Sequence, residues 1–182
     1  MTPMLREKYE KTITKAMMEK FGYTNRMAVP KVRLVSINVG MTASNLKDGK
    51  YPDQVEATLV RITGQKPVRT LAKKSIASFK IRQGMNVGMK VSLRGHRMWH
   101  FLEKLVNVTL PRVRDFRGLN PKTVDKQGNL SIGFREYIAF PEIRSDEVER
   151  LHGLQVTVST TAATKEEGLE LFKLMGFPFR AA

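Results

Sequence analysis

The run from Met89 to Arg94 constrains the fold more than any other stretch. Met89, Val91 and Leu93 alternate with Lys90, Ser92 and Arg94, and successive side chains of a strand point to opposite faces. Such a strand has one apolar face that must be covered and one basic face that must stay in contact with water or a partner. A second alternation lies upstream, with Ala77, Phe79 and Ile81 set against Ser78, Lys80 and Arg82. Between the two runs stands QGMNVG, whose glycines suit a turn. The spacing predicts a long hairpin over 76–94. Its tip is formed by Arg82, Gln83, Gly84, Met85, Asn86, Val87 and Gly88, with Met85 and Val87 as apolar residues at an exposed end. Apolar residues so placed point to a partner, a tip folded back on its own strands being the alternative. Among the six polar positions of the two arms, four are Lys or Arg and none is acidic. Solvated faces ordinarily mix both signs, so this face reads as a nucleic-acid surface, with an ordinary solvated face as the bland alternative.

The rest of the chain supplies the cover. Leu5, Tyr9, Ile13, Ala16, Met17 and Phe21 recur at helical spacing and Gly22 ends the run. KVRLVSINVG, residues 31–40, reads as a strand with Val35, Ile37 and Val39 on one face and Ser36 and Asn38 on the other. Pro52, Val55, Leu59, Ile62 and Gly64 mark a second helix, and residues 66–72 a short strand. Met98, Phe101, Leu102, Leu105 and Val106 mark a third helix ended by Pro111, followed by a loop-like stretch over 111–133. REYIAF and LQVTVST read as two further strands. Thr164 and Glu167 form a capping box before a last helix that stops at Gly176. No repeat, linker or low-complexity tract interrupts the chain, so the pattern predicts a single α+β domain over 1–182.

Charge narrows the function. The chain carries a net charge of +15, for which a polyanion is the natural partner. Residues 66–117 hold 13 Lys/Arg and only two acids, Glu103 and Asp115. Residues 142–170 are net acidic, which suits a face that meets a basic protein. With Ser, Lys and Arg rather than aromatics at the open strand positions, folded RNA gripped at its backbone fits better than stacked single strands. The absence of cysteine excludes disulfides, thiolate metal sites and thiol catalysis, and fits a reducing compartment. Glu7, Glu10 and Glu19 interrupt the first 20 residues, so no secretory or transit segment is expected, and no apolar run suits a membrane span. His96 and His100 share a helix face, but HRMWH lacks the glutamate of a zinc-hydrolase helix, and no metal site is expected. TGQKP at 63–67 is not a nucleotide-binding loop, and carboxylates are too sparse in the basic half to hold magnesium. No cofactor, small-molecule substrate or catalytic set emerges. An RNA-processing enzyme with a basic sheet face stays as the second reading, and membrane-surface binding by the first helix as a distant third.

TGQKP at 63–67, KKSIASFKIRQG at 73–84, LRGHRMW at 93–99, PRVRDFRGLNPK at 111–122, GFREYIAFPEI at 133–143 and GFPFR at 176–180 together resemble the bacterial-type large-subunit ribosomal protein family number five. The similarity runs in unbroken order from about residue 5 to residue 180. It implies an α+β fold with an antiparallel sheet, helices packed on one face, an open basic face on 5S ribosomal RNA and a long hairpin projection. A structural, non-enzymatic role in the central protuberance is implied as well, linking 5S to 23S ribosomal RNA in a cytoplasmic or organellar ribosome. The 5S-binding residues implied by the resemblance are Asn38, Gln65, Phe79 and Ser92, to which the basic face adds Lys66, Lys80 and Arg94. Strand parity sets Phe79 apart from the others, on the apolar side. The hairpin tip is implied to touch peptidyl-site tRNA. Arg112, Arg114 and Arg117 are implied to meet a small-subunit head protein across an intersubunit bridge, with local neutralisation by Asp115 as the alternative. Two departures stand out: Leu34 replaces a lysine common in the family, and Asp125-Lys126-Gln127-Gly128-Asn129-Leu130 replaces its D-G-R-G-N-Y loop.

Overall fold

The computed structural model describes residues 3–41, 49–143 and 151–180; residues 144–150 of the acidic stretch lie outside them. The fold is α+β with a five-stranded antiparallel sheet. Strands β1 (Val32–Gly40), β2 (Val68–Leu71), β3 (Asn86–Leu93), β4 (Leu130–Phe134) and β5 (Leu154–Thr160) are ordered β2-β3-β1-β5-β4. The chain divides into two compact units, one of Met1–Val35, Leu93–Ile132 and Thr157–Ala182, the other of Ser36–Ser92 and Gly133–Val156.

In the first unit the N-terminal amphipathic run is helical throughout. It comprises α1 (Met4–Lys8), a π turn at Tyr9–Ile13 and α2 (Thr14–Phe21), with Gly22 ending it in the left-handed region. Leu5, Ile13 and Met17 are buried, and the Tyr9 ring lies 5.6 Å from that of Trp99. Trp99 belongs to α4 (Gly95–Lys104), which continues through a π turn at Leu105–Thr109 into α5 (Leu110–Arg112). The helix ends at Arg112, one residue past Pro111, where Val113 turns to extended backbone, as a proline that lacks the N–H and crowds the preceding turn requires. The last helix, α6 (Lys165–Met175), starts at the predicted capping box: the Glu167 amide donates to Thr164 Oγ1, and Glu167 Oε2 accepts from the Ala163 and Thr164 amides. Tyr23, just past α2, donates its hydroxyl to Glu167 Oε1 at 2.5 Å.

In the second unit α3 (Tyr51–Thr63) buries Val55, Leu59 and Ile62, as its spacing requires. Strand β3 buries Met89, Val91 and Leu93 and exposes Lys90. Its hairpin partner is β2, in antiparallel register Val68 to Lys90 and Arg69 to Met89. The run 76–82 is not a strand. It holds only the bridge Ile76–Ile81, closed by a turn in which the Lys80 amide donates to the Ala77 carbonyl at 3.0 Å and Lys80 takes φ 53°. Its alternation had no partner strand to face, since β2 already occupies that edge of β3. REYIAF is likewise not a strand. The strand is the preceding LSIGF, and Tyr137–Ala139 form a 3-10 turn that brings Phe140 within 5.5 Å of Phe134 and stacks Tyr137 on His152 at 4.2 Å.

The cap at α6 makes a stability prediction. Thr164→Ala should lower unfolding free energy by about 1 kcal/mol in denaturant titration. Burial alone would raise the Glu167 carboxyl, but hydrogen bonds from Tyr23, Ala163 and Thr164 outweigh it and hold the group below its ordinary 4.5. A carboxyl lowered in the fold stabilises above its unfolded value and ceases to do so as pH falls through its folded value. The gap in melting temperature between the native chain and Glu167→Gln should therefore be full above pH 4.5 and close on acidification.

Candidate nucleic-acid interface

The polar face of the second unit is assembled around β3. Ser92 is half-buried there, and the Gln65 side chain reaches it, Nε2 donating to the Ser92 carbonyl at 3.4 Å. Gln65 owes its position to Gly64, which ends α3 at φ 66° and donates its amide to Val60. Asn38 is half-buried on β1, next to β3 in the sheet, and its Nδ2 lies 3.5 Å from Ser36 Oγ. Lys90 stands on the exposed face of β3 two residues from Ser92, where its strand parity puts it. In the other unit Arg94 flanks the start of α4 and is exposed.

The hairpin end differs from the expected tip. Asn86, Val87 and Gly88 belong to β3, opposite Leu71 and Thr70 of β2, because the true first arm is β2 and not 76–82. The loop proper spans 72–85. It is closed by the Ala72 amide on the Met85 carbonyl (2.8 Å) and the Gly84 amide on Ala72 (3.0 Å), and stiffened by the Gln83 amide on Ser75 Oγ (2.9 Å). Met85 turns back and accepts the Arg82 amide at its sulfur, so Met85 and Val87 are half-buried rather than displayed. The apolar groups offered to solvent there are Phe79, 67% exposed, Leu71 at the end of β2 and Ile76 of the Ile76–Ile81 bridge. Phe79 thus leaves the apolar side that parity assigns it, since no sheet face forms there.

The cations of the basic segment fall into two groups. Arg69 is committed: its guanidinium donates to Glu56 Oε2 at 2.8 Å and Asp53 Oδ1 at 2.9 Å, and its hydrogen bond holds the Glu56 carboxyl below its usual value. Lys66 lies 3.6 Å from the same glutamate, with its side chain 83% exposed. Lys73, Lys74, Lys80, Arg82 and Lys90 are exposed and form no ion pair among the described residues. No acid occurs in the sequence between Glu56 and Glu103 to neutralise them.

In the first unit Arg112 is the last residue of α5, while Arg114 and Arg117 project from the irregular segment after it. No ion pair joins Asp115, itself at φ 52°, to any of the three. The C-terminal segment anchors this stretch through the Leu119 amide on Pro178 (2.7 Å) and the Arg180 amide on Leu119 (2.9 Å). The departed loop is internally bonded, Asp125 accepting from the Gln127 and Asn129 amides and from Asn129 Nδ2, and Leu130 is buried at the start of β4. His96 and His100 are both exposed. Among the described residues no group of three or more His, Asp or Glu is gathered as metal ligands would be, and no helix is long and apolar enough to cross a membrane.

These features define a basic α+β protein whose displayed groups are cations and amides rather than a reactive cluster. Two family models match the chain: "Ribosomal protein L5" over residues 25–82 and "ribosomal L5P family C-terminus" over residues 86–179. Among similar curated proteins is the large ribosomal subunit protein uL5 of Carboxydothermus hydrogenoformans, 52% identical over 97% of this chain and 98% of its own length. Another is the uL5 of Halothermothrix orenii, 56% identical over the same shares. The chain belongs to the ribosomal protein L5 family. It is a structural constituent of the large subunit of a bacterial-type, cytoplasmic ribosome, and not an enzyme.

The placement of Gly88 inside β3 makes its own prediction. A Cβ there would lie 2.7 Å from the Val39 carbonyl oxygen, whereas one at Gly40 would meet nothing within 4 Å. Gly88→Ala should destabilise by about 1–3 kcal/mol, as overpacking does, and Gly40→Ala should stay within about 0.5 kcal/mol of the native chain. Equal melting temperatures for the two variants would contradict the register.

Proposed function

We propose that the chain binds 5S ribosomal RNA on the open face of its sheet and ties it to 23S ribosomal RNA in the central protuberance. Asn38, Gln65 and Ser92 set register, because amides and hydroxyls both donate and accept. Lys66, Lys80 and Arg94 supply affinity through phosphate, and Phe79 a stacking surface. The observation that carries this reading is the Gln65 amide docked on Ser92, on a strand face whose displayed charge is Lys90. The loop 72–85 reaches peptidyl-site tRNA through Arg82 and Gln83 on its return limb, in place of the residues 86–88 that β3 absorbs. Arg112, Arg114 and Arg117, free of Asp115, face a small-subunit head protein across an intersubunit bridge.

Binding of 5S RNA and of an unrelated hairpin of equal size, measured over a range of salt concentrations, tests the reading. Gln65→Ala should cost on the order of 1–3 kcal/mol of 5S affinity. Lys80→Ala should chiefly reduce the log-log salt slope, by about 0.7–0.9 for one lost phosphate contact. Equal affinity for both RNAs would refute 5S recognition. In ribosomes, Arg82→Ala with Gln83→Ala should shorten tRNA retention in the peptidyl site. Replacing Arg112, Arg114 and Arg117 together should weaken subunit association, and both sets should leave 5S binding intact.

A further inference from the structure

Gln65 is held at two points, and only one of them is its own side chain. Thr63, the last residue of α3, is buried, and its hydroxyl is surrounded by three backbone groups. Oγ1 donates to the Leu59 carbonyl at 2.7 Å and lies 3.1 Å from the Gln65 carbonyl, while it accepts the Gln65 amide at 3.2 Å. A hydroxyl has one proton and two lone pairs, so the shorter bond to Leu59 takes the proton and a lone pair is left for the Gln65 N–H. The backbone of Gln65 is thereby pinned to the end of α3, just after the left-handed Gly64, and its side chain is pinned to β3 through the Ser92 carbonyl. An amide so held keeps its Oε1 and its second N–H for a ligand, with little rotational freedom left to lose on binding.

We propose that Thr63 is a positioning residue for RNA binding, its hydroxyl presetting Gln65 so that the glutamine amide meets the RNA already oriented. The proposal rests on the Gln65 contact with 5S RNA advanced above. Thr63 touches no RNA in this scheme and carries no charge, so its removal should weaken affinity without altering the number of phosphates neutralised.

The test is a double-mutant cycle on the full chain with 5S RNA, read as dissociation constant and salt slope. Thr63→Val, which keeps the branched shape and loses the hydroxyl, should weaken binding about threefold to tenfold with an unchanged salt slope. In the Gln65→Ala background the same substitution should change affinity by less than about twofold. Thr63→Ser, which retains the hydroxyl, should bind like the native chain. Native affinity in Thr63→Val, or an equal loss in both backgrounds, overturns the positioning role while leaving the Gln65 contact standing. Native affinity in Gln65→Ala removes that contact and the proposal with it. Should Thr63→Val fail to fold, the serine variant decides: retained affinity supports the role of the hydroxyl, and weakened binding by the folded protein overturns it.

Discussion

Everything in the second unit depends on the two faces of β3 being unequal. Met89 and Val91 are buried, so their face needs a cover, and α3 brings Val55, Leu59 and Ile62 into the core. Lys90 and Ser92 cannot follow them, because an unpaired ammonium loses far more in solvation than its methylenes gain by burial. A register slip of one residue would bury Lys90 and expose Met89, so the pairing Val68 to Lys90 and Arg69 to Met89 is fixed by chemistry as much as by geometry. The open face is therefore a consequence of folding, present before any RNA arrives.

The elements legible in sequence were those whose own period matched their partner's geometry. The N-terminal helix, α3, α6 with its capping box, β1, β3 and β5 all carry their signal within one element. Two misreadings share a cause: period two is necessary for a half-buried strand but does not supply a neighbour. Ala77, Phe79 and Ile81 alternate with polar residues, yet the edge of β3 is taken by VRTL at 68–71, a shorter run with weaker alternation. In REYIAF the informative spacing was three: Phe134, Tyr137 and Phe140 are all buried, which suits a strand end followed by a 3-10 turn rather than a strand.

Of the candidate site, residues on regular strands were readable and residues set by loops were not. Ser92 and Asn38 follow from parity alone. The exposure of Phe79, the folding back of Met85 and the absorption of Gly88 into β3 depend on where the hairpin turns, which the sequence signals in two places: at Gly84 and, less visibly, at Lys80 with its positive φ. Gly88 shows how a residue type can mislead. Its type suggests turn flexibility, but it stands within β3, and glycine is needed there because the Val39 carbonyl leaves no room for a Cβ.

Charge counting fails in a similar way, and the hairpin shows why. Arg69 and Lys90 sit on neighbouring strands in one ladder, and both contribute to the basic balance of residues 66–117. Arg69 is opposite Met89 and so shares the face that α3 covers; at the edge of a covered face a cation needs acids, and Asp53 and Glu56 of α3 supply them. Lys90 is opposite Val68 on the other face, where it forms no ion pair among the described residues. Two cations of equal weight in the composition thus have different fates, one spent on joining β2 to α3 and one left for a partner. On the strand pair itself the cation without an ion pair, Lys90, lies on the face opposite the one that Arg69 shares with Met89. A cation fixed on one face can orient a polyanion, whereas one already paired with acids, as Arg69 is, contributes little to drawing it in.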